Sequence, residues 1–475
     1  MDMLMFQLQK HSTTPLYKQL YREIRIAITG GKIVVGTKLP SKRKLADYLQ
    51  ISQTTVELAY AQLVAEGFIE PRPRKGFYTM PVEELAYLDV PQEETAIRDM
   101  PKPSYLYDFN PARIDTRSFP FPTWRKTARE VIDEENHELL LAGHPQGDES
   151  LRAEIARYLY QSRGVVCEAE QIIVGSGTEQ LMPLLIRLFD KNLSFGFENP
   201  GYALTHSIFE HDDRRAFPIA VDGEGIDVQE LDRTGVDIAY VTPSHQFPTG
   251  SILSATRRAQ LLNWAAAKSE RYIIEDDYDS EFRYTSQPIP ALQSMDVGGR
   301  VIYISTFSKS LMPSLRIAYL VLPPRLLNAY RKTFLHYTST VPRIDQQIVA
   351  MFMQKGHFSR HLNRMRKLYR KKLECLTQAL APFHPAVTVS GEQAGMHIVL
   401  TVNTDRSEQT LVDQANDAGI RVFAMQNYDL LKQKSTLPKI VLGFGGLNEA
   451  EIQQGIDQLM QCWHIQNKTS SSAKE

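Results

Sequence analysis

The chain contains little cysteine: it has three in 475 residues, and no two lie at close spacing. This spacing excludes a disulfide framework and a cysteine zinc site, and it favours a reducing compartment. No apolar run approaches the ~18 residues that a membrane-spanning helix needs. The first residues also lack the basic and apolar segments of an export signal. We therefore expect a cytoplasmic protein with no membrane partner and no metal.

The net charge of the whole chain is only −1, but this total hides an uneven distribution of charge along the sequence. Residues 1–80 hold 12 Lys and Arg against 6 Asp and Glu, a surplus of +6 that leaves −7 for the remainder. A basic segment beside an acidic one indicates a polyanion partner for the first segment only. The length predicts two or three domains.

The basic segment, residues 1–80, has the pattern of three helices followed by a hairpin. Apolar residues recur every four positions from Leu16 to Ile28, which predicts an amphipathic helix. Ser41 and Ser52 stand where N-caps of a second and a third helix are expected. A basic stretch with a glycine, residues 68–78, then predicts a hairpin. A third helix with polar residues in its first turn, followed by such a hairpin, is typical of a winged helix that reads the major groove of DNA.

This segment resembles the GntR winged-helix family in residues 39–46, 52–56 and 74–76. An isolated basic run such as 42–44 is usually only a solvated face, but the order and spacing of the three stretches favour DNA binding. The resemblance implies DNA contacts from Ser41, Lys42, Arg43, Ser52, Gln53, Thr54, Thr55, Arg74, Lys75 and Gly76. The family often has arginine at the position of Gln53. Because arginine favours guanine and glutamine favours adenine, we expect a different operator from the commonest type.

The rest of the chain predicts a linker and a large α/β domain. Residues 81–104 are acidic and interrupted by prolines, which is typical of a tether. In residues 105–475 short apolar strands alternate with helices, which predicts a largely parallel sheet. Strands are expected at 172–174, 194–198, 238–242, 271–276 and 300–304. Beyond about residue 355, long charged helices and further strands predict a smaller α+β subdomain.

Lys309 closes one of these strands and is the most informative residue of the chain. Hydroxyl residues flank it, and Arg316 follows seven positions later. A lysine amine forms an imine with the aldehyde of pyridoxal 5′-phosphate, while hydroxyls and arginine suit the phosphate dianion. Residues 175–178 join another strand to a helix N-terminus, which also suits phosphate. They lack the third glycine of a nicotinamide fingerprint.

Two further strand ends complete the pattern. The strand at 271–276 ends in carboxylates, and either Asp276 or Asp277 can pair with the pyridinium nitrogen, while Tyr278 reaches the ring hydroxyl. Tyr202 follows a strand and can stack on a planar ring. Singly, a strand-ending aspartate is more often a cap and a lone tyrosine more often a core residue. The order of all these elements favours a common site.

Residues 105–465 resemble fold-type I aminotransferases, and the whole chain resembles regulators of the MocR/GabR type, with 144–147, 243–250 and 305–309 as further matching stretches. The resemblance implies that Lys309 forms the Schiff base, that Asp276 pairs with the pyridinium nitrogen and that Tyr278 binds the ring hydroxyl. The implied cofactor-binding residues are Ser176, Gly177, Thr178, Tyr202, Asp276, Tyr278, Thr306, Ser308, Lys309 and Arg316. It also implies a head-to-tail homodimer on double-stranded operator DNA.

One departure from the family bears on function. Aminotransferases hold the substrate carboxylate with a late arginine, but this chain has Gly446 there, and no arginine follows Tyr202. Without that anchor the substrate is poorly aligned and turnover should be slow. We therefore expect a transcriptional regulator that senses pyridoxal phosphate itself or a small amine effector, with vitamin B6 synthesis as a candidate target. The alternative is an active aminotransferase with an accessory DNA-binding module.

Overall fold

The structure is a computed structural model that describes residues 6, 8–9, 12, 14–82, 104–284, 289–432 and 437–467. The chain divides into two compact units, Met1–Pro101 and Lys102–Glu475. Most of the expected linker, residues 83–103, lies outside the described residues. Within the described ranges, no helix is long and apolar enough to cross a membrane.

The first unit consists of three helices and an antiparallel hairpin: α1 (Leu16–Thr29), α2 (Lys42–Leu49), α3 (Gln53–Ala65), β1 (Ile69–Arg72) and β2 (Gly76–Thr79). The predicted N-caps are confirmed, since the hydroxyls of Ser41 and Ser52 accept hydrogen bonds from the backbone N–H groups of Lys44 and Thr55. Each such cap contributes about 1 kcal/mol to helix stability. The apolar faces of the three helices meet in one core that includes Leu20, Val56 and Leu63.

The second unit begins with a short strand, β3 (Tyr107–Asp108), and is built on an eight-stranded sheet. In chain order its strands are β4 (Ile172–Gly175), β5 (Phe195–Asn199), β6 (Ala216–Asp222), β7 (Gly225–Ile226), β8 (Ile238–Val241), β9 (Tyr272–Asp277), β10 (Val301–Thr306) and β11 (Ala318–Val321).

The spatial order in this sheet is β4-β11-β10-β9-β8-β5-β6-β7. Strands β10, β9, β8, β5 and β6 run parallel, as predicted. Strand β11 is antiparallel to both β10 and β4, so β4 points the same way as the parallel set. The central strands are buried along their length because helices cover both faces of the sheet.

The helices of this unit are α4 (Phe121–Val131), α5 (Glu149–Arg163), α6 (Thr178–Ile186), α7 (Ala203–His211), α8 (Val228–Thr234), α9 (Ala255–Ala266), α10 (Phe307–Ser310), α11 (Pro324–Thr333), α12 (Arg343–Gln354), α13 (His357–Leu380), α14 (Glu408–Asp417) and α15 (Glu449–Cys462). The expected smaller subdomain contains β12 (Val387–Ser390), β13 (His397–Val402), β14 (Ile420–Arg421), β15 (Phe423–Ala424) and β16 (Lys439–Gly443). Its sheet has the order β12-β13-β16-β15, while β14 pairs with β3.

Candidate functional site

Four strands of the large sheet end at one edge, and each brings a predicted residue there. Strand β10 leads into α10, which carries Lys309, and Asp276 is the penultimate residue of β9. Strand β4 leads to Gly177 at the N-terminus of α6, and β5 leads to Tyr202 at the N-terminus of α7. Ligands of open α/β sheets bind at the carboxyl ends of the strands, so this edge is where a site is expected.

A cavity of about 270 Å³ lies at this edge. All but one of the predicted cofactor-binding residues line it: Gly177, Thr178, Tyr202, Asp276, Tyr278, Thr306, Ser308, Lys309 and Arg316. Ser176 does not, and its backbone N–H instead donates to the side-chain oxygens of Gln180 and Thr340. Residues that the sequence did not indicate also line the cavity: Ala112, Glu179, Met182, Leu204, Thr205, Ile208, Tyr240 and Pro313.

Lys309 offers an amine suited to nucleophilic attack. Its Nζ donates a hydrogen bond to the carbonyl oxygen of Pro111 at 2.5 Å. Burial lowers the pKa of Lys309 from 10.5 to about 8, although Asp279 opposes this shift. Because only the neutral amine is a nucleophile, a lowered pKa makes far more of it available near neutral pH.

Asp276 presents one unsatisfied oxygen at the cavity. Its Oδ2 accepts a hydrogen bond from the hydroxyl of Tyr240, whereas its buried Oδ1 has no partner among the described residues. Burial and the nearby carboxylates Asp277 and Asp279 together raise the pKa of Asp276 to about 7, although the hydrogen bond from Tyr240 opposes this shift. An orphaned buried acceptor costs about 1–3 kcal/mol, so a ligand N–H placed there would be stabilised.

Asp277, the other candidate carboxylate, has a different role. Its Oδ2 accepts hydrogen bonds from Arg163 Nε at 2.8 Å and from the hydroxyl of Tyr303 at 2.5 Å. Asp277 is absent from the cavity lining because successive side chains of a strand point to opposite faces. Only Asp276 therefore faces the cavity, and Asp277 belongs to a buried ion pair.

The opposite end of the cavity is a cradle for an anion. Gly177 has φ +139°, and a Cβ built on it would lie 2.3 Å from Nη2 of Arg316. The hydroxyls of Thr306 and Ser308 lie 2.9 Å apart beside it. Backbone N–H groups at a helix start, hydroxyls and a guanidinium together suit a phosphate dianion. Arg316 Nη2 donates to Glu179 Oε2 at 2.8 Å, so a carboxylate of the chain itself occupies this cradle.

Aromatic rings form the side wall. The Tyr202 ring stacks on Phe247 with centroids 4.2 Å apart and planes 11° from parallel, and it meets Tyr278 edge-on at 5.5 Å. Gln246 and Phe247 lie in the loop that follows β8. The Gln246 amide donates to the carbonyl of Pro200 at 2.9 Å, which ties this loop to the segment before Tyr202.

Among the described residues that line the cavity, Arg316 at the anion cradle is the only arginine, so none is left to anchor a substrate carboxylate. Arg113 pairs with Asp108 at 2.9 Å and Arg117 lies 3.5 Å from Glu451, and neither arginine lines the cavity. A Cβ at Gly446 would lie 2.9 Å from the Cβ of Arg113. The Arg113 stem therefore fills the space next to the position where aminotransferases carry their late arginine.

In the first unit, most of the predicted DNA-contacting side chains are exposed. Arg43, Gln53 and Thr54 are exposed at the starts of α2 and α3, as are Ser41 and Ser52, the caps of these helices.

At the tip of the hairpin, Arg74, Lys75 and Gly76 are exposed, and Arg74 and Gly76 have positive φ. Three predicted residues already have side-chain partners: the Lys42 amine lies 2.5 Å from Glu57 Oε1, and the hydroxyls of Ser52 and Thr55 lie 2.8 Å apart. The exposed set supplies cations and amide groups of the kinds that bind phosphates and base edges.

Two family models match the two units. Residues 16–79 match the gntR family of bacterial regulatory proteins. Residues 109–457 match aminotransferase class I and II. In fold, the second unit is similar to the crystal structure of a kynurenine aminotransferase from Pyrococcus horikoshii, with a TM-score of 0.66 and 24% identity over 76% of this chain and 91% of that one.

Relatives that match almost the full length are regulators. The HTH-type transcriptional regulator YdeL of Bacillus subtilis is 43% identical over 95% of this chain and 97% of its own. The probable rhizopine catabolism regulatory protein MocR of Rhizobium meliloti is 31% identical over 96% of this chain and 95% of its own. The pyridoxine biosynthesis regulator PdxR of Corynebacterium glutamicum is 31% identical over 93% of this chain and 94% of its own. The chain therefore belongs to the MocR-type transcriptional regulators, in which a gntR helix-turn-helix domain is joined to an aminotransferase class I and II domain.

Proposed function

We propose that the chain binds pyridoxal 5′-phosphate at Lys309 and operator DNA through residues 1–80, and that occupancy of the cavity sets its affinity for DNA. The observation that carries this proposal is the cavity shared by Lys309 and Asp276 in a chain that also has a DNA-binding unit. The residues fit the cofactor on three counts: the orphaned Oδ1 of Asp276, the cradle at Gly177 and the lowered pKa of Lys309.

When bound, pyridoxal phosphate supplies an electrophilic aldehyde carbon and an electron-withdrawing ring. Lys309 supplies the attacking amine. Asp276 accepts the hydrogen bond of the pyridinium N–H, and Tyr278 binds the ring hydroxyl. The phosphate is held by Thr178, Thr306, Ser308 and Arg316 at the start of α6.

Two features support pyridoxal phosphate itself as the signal. The relative PdxR is named for pyridoxine biosynthesis, which supports a role in vitamin B6 control. In the part of the chain that the structure describes, no arginine besides Arg316 lines the cavity, which disfavours an amino-acid effector held by its carboxylate. The same lack disfavours aminotransferase catalysis as the main activity. The proposal includes a cytoplasmic location and a head-to-tail homodimer whose two DNA-binding units contact repeated half-sites.

Arg43→Ala tests the DNA-binding part. Because Arg43 is exposed at the start of α2, it is free to contact a phosphate. Losing one phosphate contact should weaken binding to all sequences alike and reduce the slope of log K against log salt by about 1. DNA retardation over a range of salt concentrations measures both. Arg22→Ala, which removes an exposed arginine on α1, is the matched control and should leave the slope unchanged.

Glu179→Gln tests the phosphate end. In the wild type, the Glu179 carboxylate pairs with Arg316 and competes with an incoming phosphate. Removing this negative charge should tighten pyridoxal phosphate binding on the order of tenfold, because a dianion close to a carboxylate is repelled. Binding of pyridoxal, which lacks the phosphate, is the control and should not change. Equal tightening for both molecules would contradict a role of Glu179 at the phosphate.

A further inference from the structure

A buried polar network of His245, Asp279 and His397 lies next to Tyr278. His245 and Asp279 are 1% and 2% exposed at the side chain. His245 Nδ1 lies 3.1 Å from Asp279 Oδ2 and 3.0 Å from the hydroxyl oxygen of Tyr278. His397 packs against the His245 ring at 4.7 Å, and its Nε2 lies 3.1 Å from the carbonyl oxygen of Pro248.

These contacts fix which nitrogen of His245 carries the proton. A carboxylate can only accept, so the contact with Asp279 requires a proton on Nδ1. Nε2 of His245 is buried and has no partner among the described residues. Nδ1 is therefore the ring nitrogen whose proton is held by a hydrogen bond.

The tautomer has a consequence for Tyr278. A protonated Nδ1 cannot accept a hydrogen bond, so in its contact with Tyr278 the hydroxyl oxygen is the acceptor of an N–H that it shares with Asp279. The hydroxyl proton of Tyr278 can then turn towards the cavity, which Tyr278 and its hydrogen-bond partner Tyr202 both line. Other ionisable groups near Tyr278 include Asp276, Glu198 and Tyr202.

We propose, on the basis of the proposed function, that Asp279 and His245 are positioning residues that make Tyr278 a hydrogen-bond donor to the ring oxygen of pyridoxal phosphate. Asp279 fixes the tautomer of His245, and His245 keeps the Tyr278 hydroxyl from donating away from the cavity. The same geometry explains why Gly395 is required here, since a Cβ on it would lie 2.1 Å from His245 Cε1.

The cluster also has the composition of a metal site, because ligand atoms of His245, Asp279 and His397 lie within 4.8 Å of one another. The hydrogen bonds of these residues explain the close approach of their ligand atoms better than a metal ion does. Nδ1 of His245 contacts both carboxylate oxygens of Asp279 and the hydroxyl of Tyr278, and Nε2 of His397 bonds to a carbonyl, so a cation would have to break these contacts.

The test uses the full chain with pyridoxal phosphate and follows the pH midpoint of the visible absorbance of the bound cofactor. Tyr278→Phe should raise this midpoint by about one pH unit. The variant lacks the hydroxyl that donates to the ring oxygen, so the deprotonated form of the bound cofactor is less stable. His245→Gln should move the midpoint in the same direction. The double variant should have the same midpoint as Tyr278→Phe alone, because both changes act on the same hydrogen bond from Tyr278 to the ring oxygen. Asp279→Asn is a second variant with the same expected direction.

His464→Gln is the control, since His464 lies just after α15 and outside the cavity lining. It should leave the midpoint unchanged, as should a chelator added to the wild type. A wild-type midpoint in His245→Gln, full additivity with Tyr278→Phe, or a shift caused by the chelator would each overturn the positioning role. A wild-type chain that never develops the absorbance would instead contradict the proposed function, and the positioning role with it.

Discussion

Lys309→Ala is expected to abolish covalent attachment of pyridoxal phosphate. Among the described residues that line the cavity, Lys309 has the only primary amine. Its lowered pKa also makes it a far better nucleophile near neutral pH than a surface lysine. After incubation with the cofactor and reduction with borohydride, intact mass should show one attached cofactor on the wild type and none on the variant.

Lys332→Ala is the matched control, because Lys332 is an exposed lysine on α11 outside the cavity. It should be labelled as fully as the wild type. Labelling of Lys309→Ala at another lysine, to the same extent and with the same cofactor dependence, would contradict the assigned site.

Asp276→Asn should weaken the binding of pyridoxal phosphate, whereas Asp277→Asn should lower the stability of the protein, although the two residues are neighbours. Asp276 faces the cavity, so its replacement removes the negative charge that is proposed to hold the pyridinium N–H. We expect roughly 100-fold weaker binding of pyridoxal phosphate, as for the loss of one partner of a buried ion pair. Equilibrium titration of each variant with the cofactor measures this loss.

Without cofactor, the stability of the protein at pH 8 should rise in Asp276→Asn and fall in Asp277→Asn. The folded-state pKa of Asp276, about 7, lies above its ordinary 3.8, so folding favours the protonated form. Stability linked to this group is therefore present below about pH 4 and is lost as the pH rises through 7. At pH 8, Asp276→Asn should unfold at a higher temperature than the wild type.

Asp277→Asn should destabilise the protein by about 3 kcal/mol because it leaves the buried Arg163 without its charged partner. Thermal unfolding without cofactor, at pH 5 and pH 8, checks both variants. Loss of stability in Asp276→Asn at pH 8, comparable to that of Asp277→Asn, would contradict the assignment of the two carboxylates.

Local sequence signals predicted much of the fold and most of the cavity. Ser41 and Ser52 mark helix starts because an N-cap acts within three residues of itself, and both caps are confirmed. Lys309, Asp276 and Tyr202 could be placed together because each follows or ends an apolar strand, and parallel strands end at one edge.

Contacts between distant segments could not be predicted in this way. Tyr240 sits inside β8 and meets Asp276 only because β8 pairs with β9 in the observed register. The sequence left Asp276 and Asp277 open because β9 is buried on both faces, so hydrophobic alternation does not reveal which face borders the cavity. His245 joins Asp279 through the fold alone, and no spacing in the sequence marks that pair.

The central claim is that cavity occupancy controls DNA binding, and one titration tests it most directly. Pyridoxal phosphate is added to the full chain while visible absorbance and retardation of the DNA upstream of its own gene are followed in parallel, with Lys309→Ala beside the wild type. We predict that both signals change together at the same cofactor concentration in the wild type, and that in Lys309→Ala DNA binding persists without responding. Cofactor attachment that leaves wild-type DNA binding unchanged would contradict pyridoxal phosphate as the signal.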